Sequence, residues 1–187
     1  MIIKRVRHAE LNNIIMLNNV DEILITDTSV LINFLNIDRV DLLLSYSGTF
    51  LITEHVVEEI TVNFPDQRDR LNNAIENEIL VVVSVTHETE LVIYNELIKE
   101  GRLGSGECSA IACAIFRKCS LAIDDVRARK QANQQSAMLK IINTQDIIVK
   151  LIHDRVLSIE EADEIKQVWQ MKYKFTLKIK SFTEVIS

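Results

Sequence analysis

Four acidic segments stand where a strand gives way to a helix, or in the first turns of a helix. Asp27 closes the apolar run in EILITDTSV, Glu58 and Glu59 lie in EHVVEEI, Glu107 lies in LGSGECSAIA, and Asp124 and Asp125 fall in LAIDDVRARKQA. Carboxylates gathered in one place raise one another's pKa, and a divalent cation relieves that repulsion. Mg²⁺ and Mn²⁺ are hard ions that prefer oxygen ligands. Once held, such an ion activates water and stabilises the charge that develops on a phosphodiester. This chemistry needs no Ser, Cys or His nucleophile, so the acids point to a metal-dependent nuclease.

The elements that must position these acids alternate between strand and helix. EILIT (22–26) reads as a buried strand, with Thr28 and Ser29 as cap candidates for the helix VLINFL. RVDLLLSYS forms a second short helix stopped by Gly48. TFLIT (49–53) is the next strand, and Thr53 caps a helix through EHVVEEITVNF that Pro65 ends. A helix over 66–77 leads to the β-branched strand ILVVVSV at 79–85. Thr86 is placed to cap the helix ending at Gly101, and Ser105 to cap ECSAIACAIFRK, whose small and apolar residues predict deep burial. SLAID is a further strand, DVRARKQANQQSA a further helix, and Ile141–Ile142 a last short strand.

The 158–161 stretch Ser-Ile-Glu-Glu is a capping box that opens a helix to about Tyr173, with one more helix expected in the last residues. Ahead of Ile23, a short strand over Ile2–Val6 and a helix near Ala9–Asn18 are expected. Alternation of this kind predicts a parallel sheet covered on both faces. In such sheets, sites form beyond the carboxyl ends of the strands. Asp27, Asp124 and Asp125 lie at strand ends, Glu107 at the start of its helix, and Glu58 and Glu59 in a second helical turn at the same rim.

Composition sets bounds on the rest. The chain has 187 residues, 48% of them hydrophobic, with four Gly and one Pro. That describes one ordered domain with few long loops. Cys108, Cys113 and Cys119 fall within one expected helix and lack CxxC spacing, so they read as small core thiols rather than a zinc or disulfide framework. No sustained apolar run predicts a signal peptide or a membrane span, and a cytoplasmic protein is expected. The net charge of −6 opposes nucleic-acid binding, although Arg127, Arg129 and Lys130 form a local basic stretch able to meet phosphates.

DTSVLINFL, VVEEI, LGSGECSAIACA and IDDVRARKQA resemble, in order, the successive motifs of the PIN-domain family, over about 23–142. NTQDIIVKLIHDRVLS resembles the helical continuation of a prokaryotic PIN branch near the VapC-type toxins. The resemblance implies an α/β fold: a three-layer α/β/α domain with a central parallel sheet and a helical C-terminal extension. It divides the chain into an N-terminal extension (1–22), a PIN-like nuclease domain (23–150) and a helical continuation of that domain (151–187). It implies Mg²⁺- or Mn²⁺-dependent cleavage of RNA, a toxin role with an antitoxin partner, and a homodimer. By position, Asp27 is the first metal ligand, Glu59 rather than Glu58 the second, Glu107 the third, and Asp124 or Asp125 the fourth. Asp125 is favoured because it begins the D-x-x-A stretch ending at Ala128, with Ser29 and Asp124 as supporting polar groups near the metal.

Each acid also has a plainer reading. Asp27, Asp124 and Asp125 can be ordinary caps, Glu107 can complement a helix dipole, and Glu58 and Glu59 can belong to a solvated face. His55 and Glu59, four residues apart, can share a surface contact. The glycines at 101, 104 and 106 are not a phosphate loop, since no Gly-Lys-Ser/Thr follows them. Two other functions compete: a PIN-like interaction module without catalysis, and a phosphohydrolase on another α/β fold. The second is weakened because Asp27 is followed by Thr28 and Ser29 rather than a D-x-D pair.

Overall fold

In a computed structural model, residues 22–186 are described. The expected elements in 1–21 lie outside the described residues. The chain runs β1 (Ile23–Thr26), α1 (Thr28–Asn36), α2 (Asp41–Ser45), β2 (Thr49–Thr53), α3 (Glu54–Asn63), α4 (Arg68–Glu76), β3 (Leu80–Val83) and α5 (Glu88–Glu100). It continues through α6 (Ser105–Arg117), β4 (Ser120–Ala122), α7 (Val126–Gln135), β5 (Ile141–Ile142), α8 (Thr144–His153) and α9 (Ile159–Tyr173). The last residues form only a 3-10 turn, Phe182–Glu184, in place of the expected helix. Asp163 accounts for the turn: it accepts the Phe182 N–H at 2.9 Å and the Ser181 hydroxyl at 2.5 Å, pinning the backbone where a longer helix would have to start.

Among the described residues, the five strands are all parallel, in the order β3-β2-β1-β4-β5. The chain builds outward from β1 to β2 and β3, then returns to the other side of β1 for β4 and β5. The β1–β4 seam is therefore where the strand order reverses, the place at which open α/β sheets bind ligands. Pairing of Thr26 with Ala122 sets the register there, and Asp27 N–H extends it to the Ala122 carbonyl at 3.1 Å.

Alternate residues of each strand face opposite layers. Leu24, Phe50, Ile52, Leu80, Val82 and Ala122 join a core with α1, α2, α3, α4, α8 and α9. Ile25, Leu51, Val83, Leu121 and Ile123 join a second core with α5, α6 and α7. As expected from its small residues, α6 is buried from Cys108 through Ala114. Cys108 and Cys113 are free thiols in that core, whereas Cys119 lies just past the helix and is half-buried. Among the described residues, no helix is long and apolar enough to cross a membrane.

Helix starts differ from expectation at three points. Asp27 caps α1, in place of Thr28 or Ser29. Its extended backbone makes the strand-to-helix turn immediate, so the two hydroxyl residues are already helical. His87 caps α5 instead of Thr86, and Gly104 is the N-cap of α6, with Ser105 its first residue. Gly101, at φ 64°, takes the left-handed cap that ends α5.

The C-terminal segment packs into the first core: Leu157, Ala162, Ile165, Trp169 and Phe182 are buried with residues of β1 and α1. If this segment is part of one cooperative unit, Phe182→Ala should cost about 3–5 kcal/mol in urea unfolding and leave a single transition. A loss near zero, or a separate early transition, would show that the tail is an appendage.

Candidate active site

The carboxyl ends of β1 and β4 deliver Asp27 and Asp124 to the seam. Asp27 has no exposure. Its Oδ1 accepts the Val30 N–H at 3.1 Å, and the Ser29 hydroxyl lies 2.9 Å from each carboxylate oxygen. The same hydroxyl accepts the Asp124 N–H at 2.9 Å, so Ser29 links the two strand ends. Burial pushes the Asp27 carboxyl up to about 8, with a contribution from the Asp124 charge, against the hydrogen bonds from Val30 and Ser29. No Lys or Arg is paired with it among the described residues. The buried Glu90 is handled differently: it meets Arg117 at 2.6 Å, with side-chain exposures of 1% and 4%. Buried charge normally requires such a partner.

Asp124 is clamped at both oxygens. Oδ1 accepts the Thr144 N–H at 2.9 Å, while Oδ2 accepts the Thr144 hydroxyl at 2.6 Å and Asn33 Nδ2 at 2.9 Å. Burial raises its pKa, opposed by the Thr144 bonds and by the Arg129 charge. Asp125, next in sequence, turns away to cap α7, accepting the Arg127 and Ala128 N–H groups at 2.8 and 2.9 Å.

Glu107 and Glu59 form the other side of the rim. Glu107 Oε2 accepts the Gly104 N–H at 2.9 Å, closing the start of α6. Burial raises its pKa, as do the charges of Asp125 and Glu59, while the Gly104 bond and Arg127 oppose the rise. Glu59, from α3, lays its carboxylate against Gly106. A Cβ at that position would overlap Glu59 Oε2 and come within 3.3 Å of Thr28 Oγ1. This close approach is what the glycine permits. Both atoms, Glu59 Oε2 and Thr28 Oγ1, are buried without a hydrogen-bond partner. Glu58 points to solvent instead. His55 does not meet Glu59; its ring lies 4.9 Å from that of Tyr94.

The acids thus fall into two groups at one rim. Asp27 and Asp124 are joined by Ser29; Glu107 lies in the field of Asp125 and Glu59. Among the described residues, no three His, Cys, Asp or Glu side chains are arranged to hold a metal ion as they are turned here. In kind, the donors fit a hard divalent cation: they are all oxygens, three carboxyls are raised by burial, and two buried oxygens lack partners. The helix-capping alternatives are also realised, since Asp27, Glu107 and Asp125 each bond an N–H at a helix start. Asn33 and Thr144 are not singled out by the sequence, and Thr28 only as a cap candidate. The signal was a buried amide in a helix and hydroxyls flanking acids, which is too common to select them.

Residues 23–187 match the PIN domain family DUF3368. No curated protein matches the chain. Among solved structures, a PilT N-terminus domain protein from the archaeon Sulfolobus solfataricus P2 is 17% identical, over 68% of this chain and 92% of that one, at a TM-score of 0.47. VapBC-1 from nontypeable Haemophilus influenzae is 20% identical, over 65% of this chain and 98% of that one, at a TM-score of 0.45.

A native carboxyl raised above its unfolded value makes the unfolded state the weaker proton binder. Stability of the metal-free protein should therefore fall as pH rises from about 4 towards 8. Asp27→Asn should flatten that slope and give a higher urea midpoint than the parent at pH 8. Parallel pH profiles for the two proteins would show that Asp27 is not the responsible group.

Proposed function

The chain belongs to the PIN-domain family, and we propose that it is a divalent-metal-dependent endoribonuclease that hydrolyses RNA phosphodiester bonds at the β1–β4 rim. The observation that carries this reading is Asp27: a carboxylate with no exposure and no cationic partner among the described residues, beside a second acid at the strand-order reversal. A buried charge in that position is costly, which is why the carboxyl keeps its proton up to about pH 8, and a divalent cation is the partner that would take the proton's place.

In this proposal Asp27, Glu59, Glu107 and Asp125 are the catalytic carboxylates that hold Mg²⁺ or Mn²⁺, and Asp124 is a further oxygen donor. Bound there, the ion would supply an activated water and stabilise charge on the phosphate. The chain's own groups prepare the site. Ser29 orients the Asp27 carboxylate and fixes the Asp124 backbone. The missing Cβ of Gly106 leaves the room that the orphaned Glu59 Oε2 occupies. The charges of Arg127 and Arg129 oppose the rise of the Glu107 and Asp124 carboxyls respectively, so positive charge stands at this rim despite the overall −6. Cations so placed suit an approaching RNA phosphate.

The same reading makes the protein a cytoplasmic toxin of a toxin–antitoxin pair, with an antitoxin partner and a homodimeric state. Its support is the NTQDIIVKLIHDRVLS stretch, realised here as α8 and the turn into α9. A second reading, a PIN-fold interaction module without catalysis, is favoured by the net acidity and by the division of the acids into two groups.

RNA incubated with the purified protein and Mn²⁺ should be cut. Asp27→Asn should lower the rate by at least about 10–100-fold, the cost of losing an outer partner of a metal ligand. Equal cutting by parent and variant would sink the nuclease assignment. No cutting by a folded parent, at any Mn²⁺ concentration, would favour the interaction module.

A further inference from the structure

Asn33 is a buried amide in the middle of α1, with 3% exposure. Asn is a weak helix former, and a buried amide must be hydrogen-bonded to be tolerated. Its Nδ2 faces three acceptors: the Ser29 carbonyl at 3.0 Å, Asp124 Oδ2 at 2.9 Å and Thr144 Oγ1 at 3.1 Å. One side chain thus ties the first turn of α1 to the end of β4 and to the start of α8.

The backbone of the same residue is held from the opposite direction. The Asn33 carbonyl, near the C-terminal end of α1, accepts the Trp169 indole N–H at 2.7 Å. One turn further along α9, the Tyr173 hydroxyl donates to the Asn36 carbonyl, also at 2.7 Å. These carbonyls belong to the end of α1, where a helix runs out of its own donors. Trp169 is wholly buried and packs edge-on against Phe34 and Phe175, with ring centroids 6.0 and 5.5 Å away. Its indole therefore fixes the rotation of α1 at the residue whose amide grips Asp124.

We infer that Asn33 is a positioning residue: held from behind by Trp169 of α9, its amide sets the Asp124 carboxylate beside Asp27 and makes the C-terminal helix part of the site's geometry. The inference rests on the reading of this rim as a divalent-cation site. The role assigned to Asn33 and Trp169 is to hold a ligand in place; neither touches a reacting atom. Outer partners of metal ligands commonly change affinity by about 10–100-fold when removed.

The test uses the full chain and Mn²⁺ alone as probe. Calorimetric titration should show Asn33→Ala weakening Mn²⁺ binding by about 10–100-fold, with Trp169→Phe weakening it in the same direction by less. Tyr173→Phe removes the neighbouring α9–α1 bond without touching Asn33, and should leave Mn²⁺ affinity at the parental value. Hydrogen exchange at the Thr144 amide reads the clamp without any metal, and it should be faster in Asn33→Ala and Trp169→Phe than in the parent. If Asn33→Ala does not fold, Trp169→Phe carries both readouts. Parental Mn²⁺ affinity together with parental Thr144 exchange in the folded variants would overturn the inference. So would an equal loss of affinity in Tyr173→Phe, which would mark a general effect of loosening α9. A parent that binds no Mn²⁺ refutes the cation-site reading instead. The clamp is then decided by Thr144 exchange alone: faster exchange upholds it and unchanged exchange rejects it.

Discussion

Burial of the Asp27 carboxylate at the reversal of a parallel sheet is the constraint around which the rest of this molecule is arranged. The strand order places the ends of β1 and β4 side by side. That adjacency brings Asp27 and Asp124 together, with Asp27 wholly buried and Asp124 partly so. Two ways of tolerating a buried acid are visible in the same chain. Glu90 is neutralised by Arg117 and serves the architecture. Asp27 has hydroxyl and amide donors, and its remaining cost appears as a carboxyl raised to about 8. The first arrangement is complete without a ligand; the second is satisfied by a cation or a proton.

Helix ends do much of the holding. Asp27, Glu107 and Asp125 each bond an N–H at a helix start, so capping and the proposed chemistry use the same side chains. A cap fixes the direction of a carboxylate, which is what a metal ligand requires, and leaves lone pairs on its oxygens. Asp124 is held differently, by Thr144 and Asn33. Through Asn33 and Trp169 the C-terminal helix reaches a residue just beyond the carboxyl end of β4. The overall acidity of −6 is likewise uneven, since Arg127 and Arg129 stand at the acidic rim.

How much of this was legible depended on whether the signal was local. EILIT, TFLIT and ILVVVSV are dense apolar runs with turn signals on either side, and all three contain the strands expected of them. Of the adjacent pair, Glu59 has a buried Oε2 and Glu58 is exposed, a difference that the sequence EHVVEEI does not display. The caps of α1, α5 and α6 fall ahead of or after the expected hydroxyl residues, because a cap is decided by where the preceding chain takes up helical geometry rather than by the nearest hydroxyl. The roles of Asn33 and Trp169 were invisible because their partners lie far along the chain and neither residue type signals such a bond. The two-group arrangement of the acids was hidden for the same reason: it depends on side-chain directions set by Gly106 and Thr144.

The proposed function requires the Asp27–Asp124 seam to exchange a proton for a divalent cation. Its most direct test is calorimetric titration of Mn²⁺ into the metal-free protein at pH 7, repeated in buffers of different ionisation enthalpy, which counts the protons released. With the Asp27 carboxyl near 8, binding should release about one proton, and Asp27→Asn should abolish that release. Binding that releases no proton, or that is equally tight in Asp27→Asn, would contradict the account.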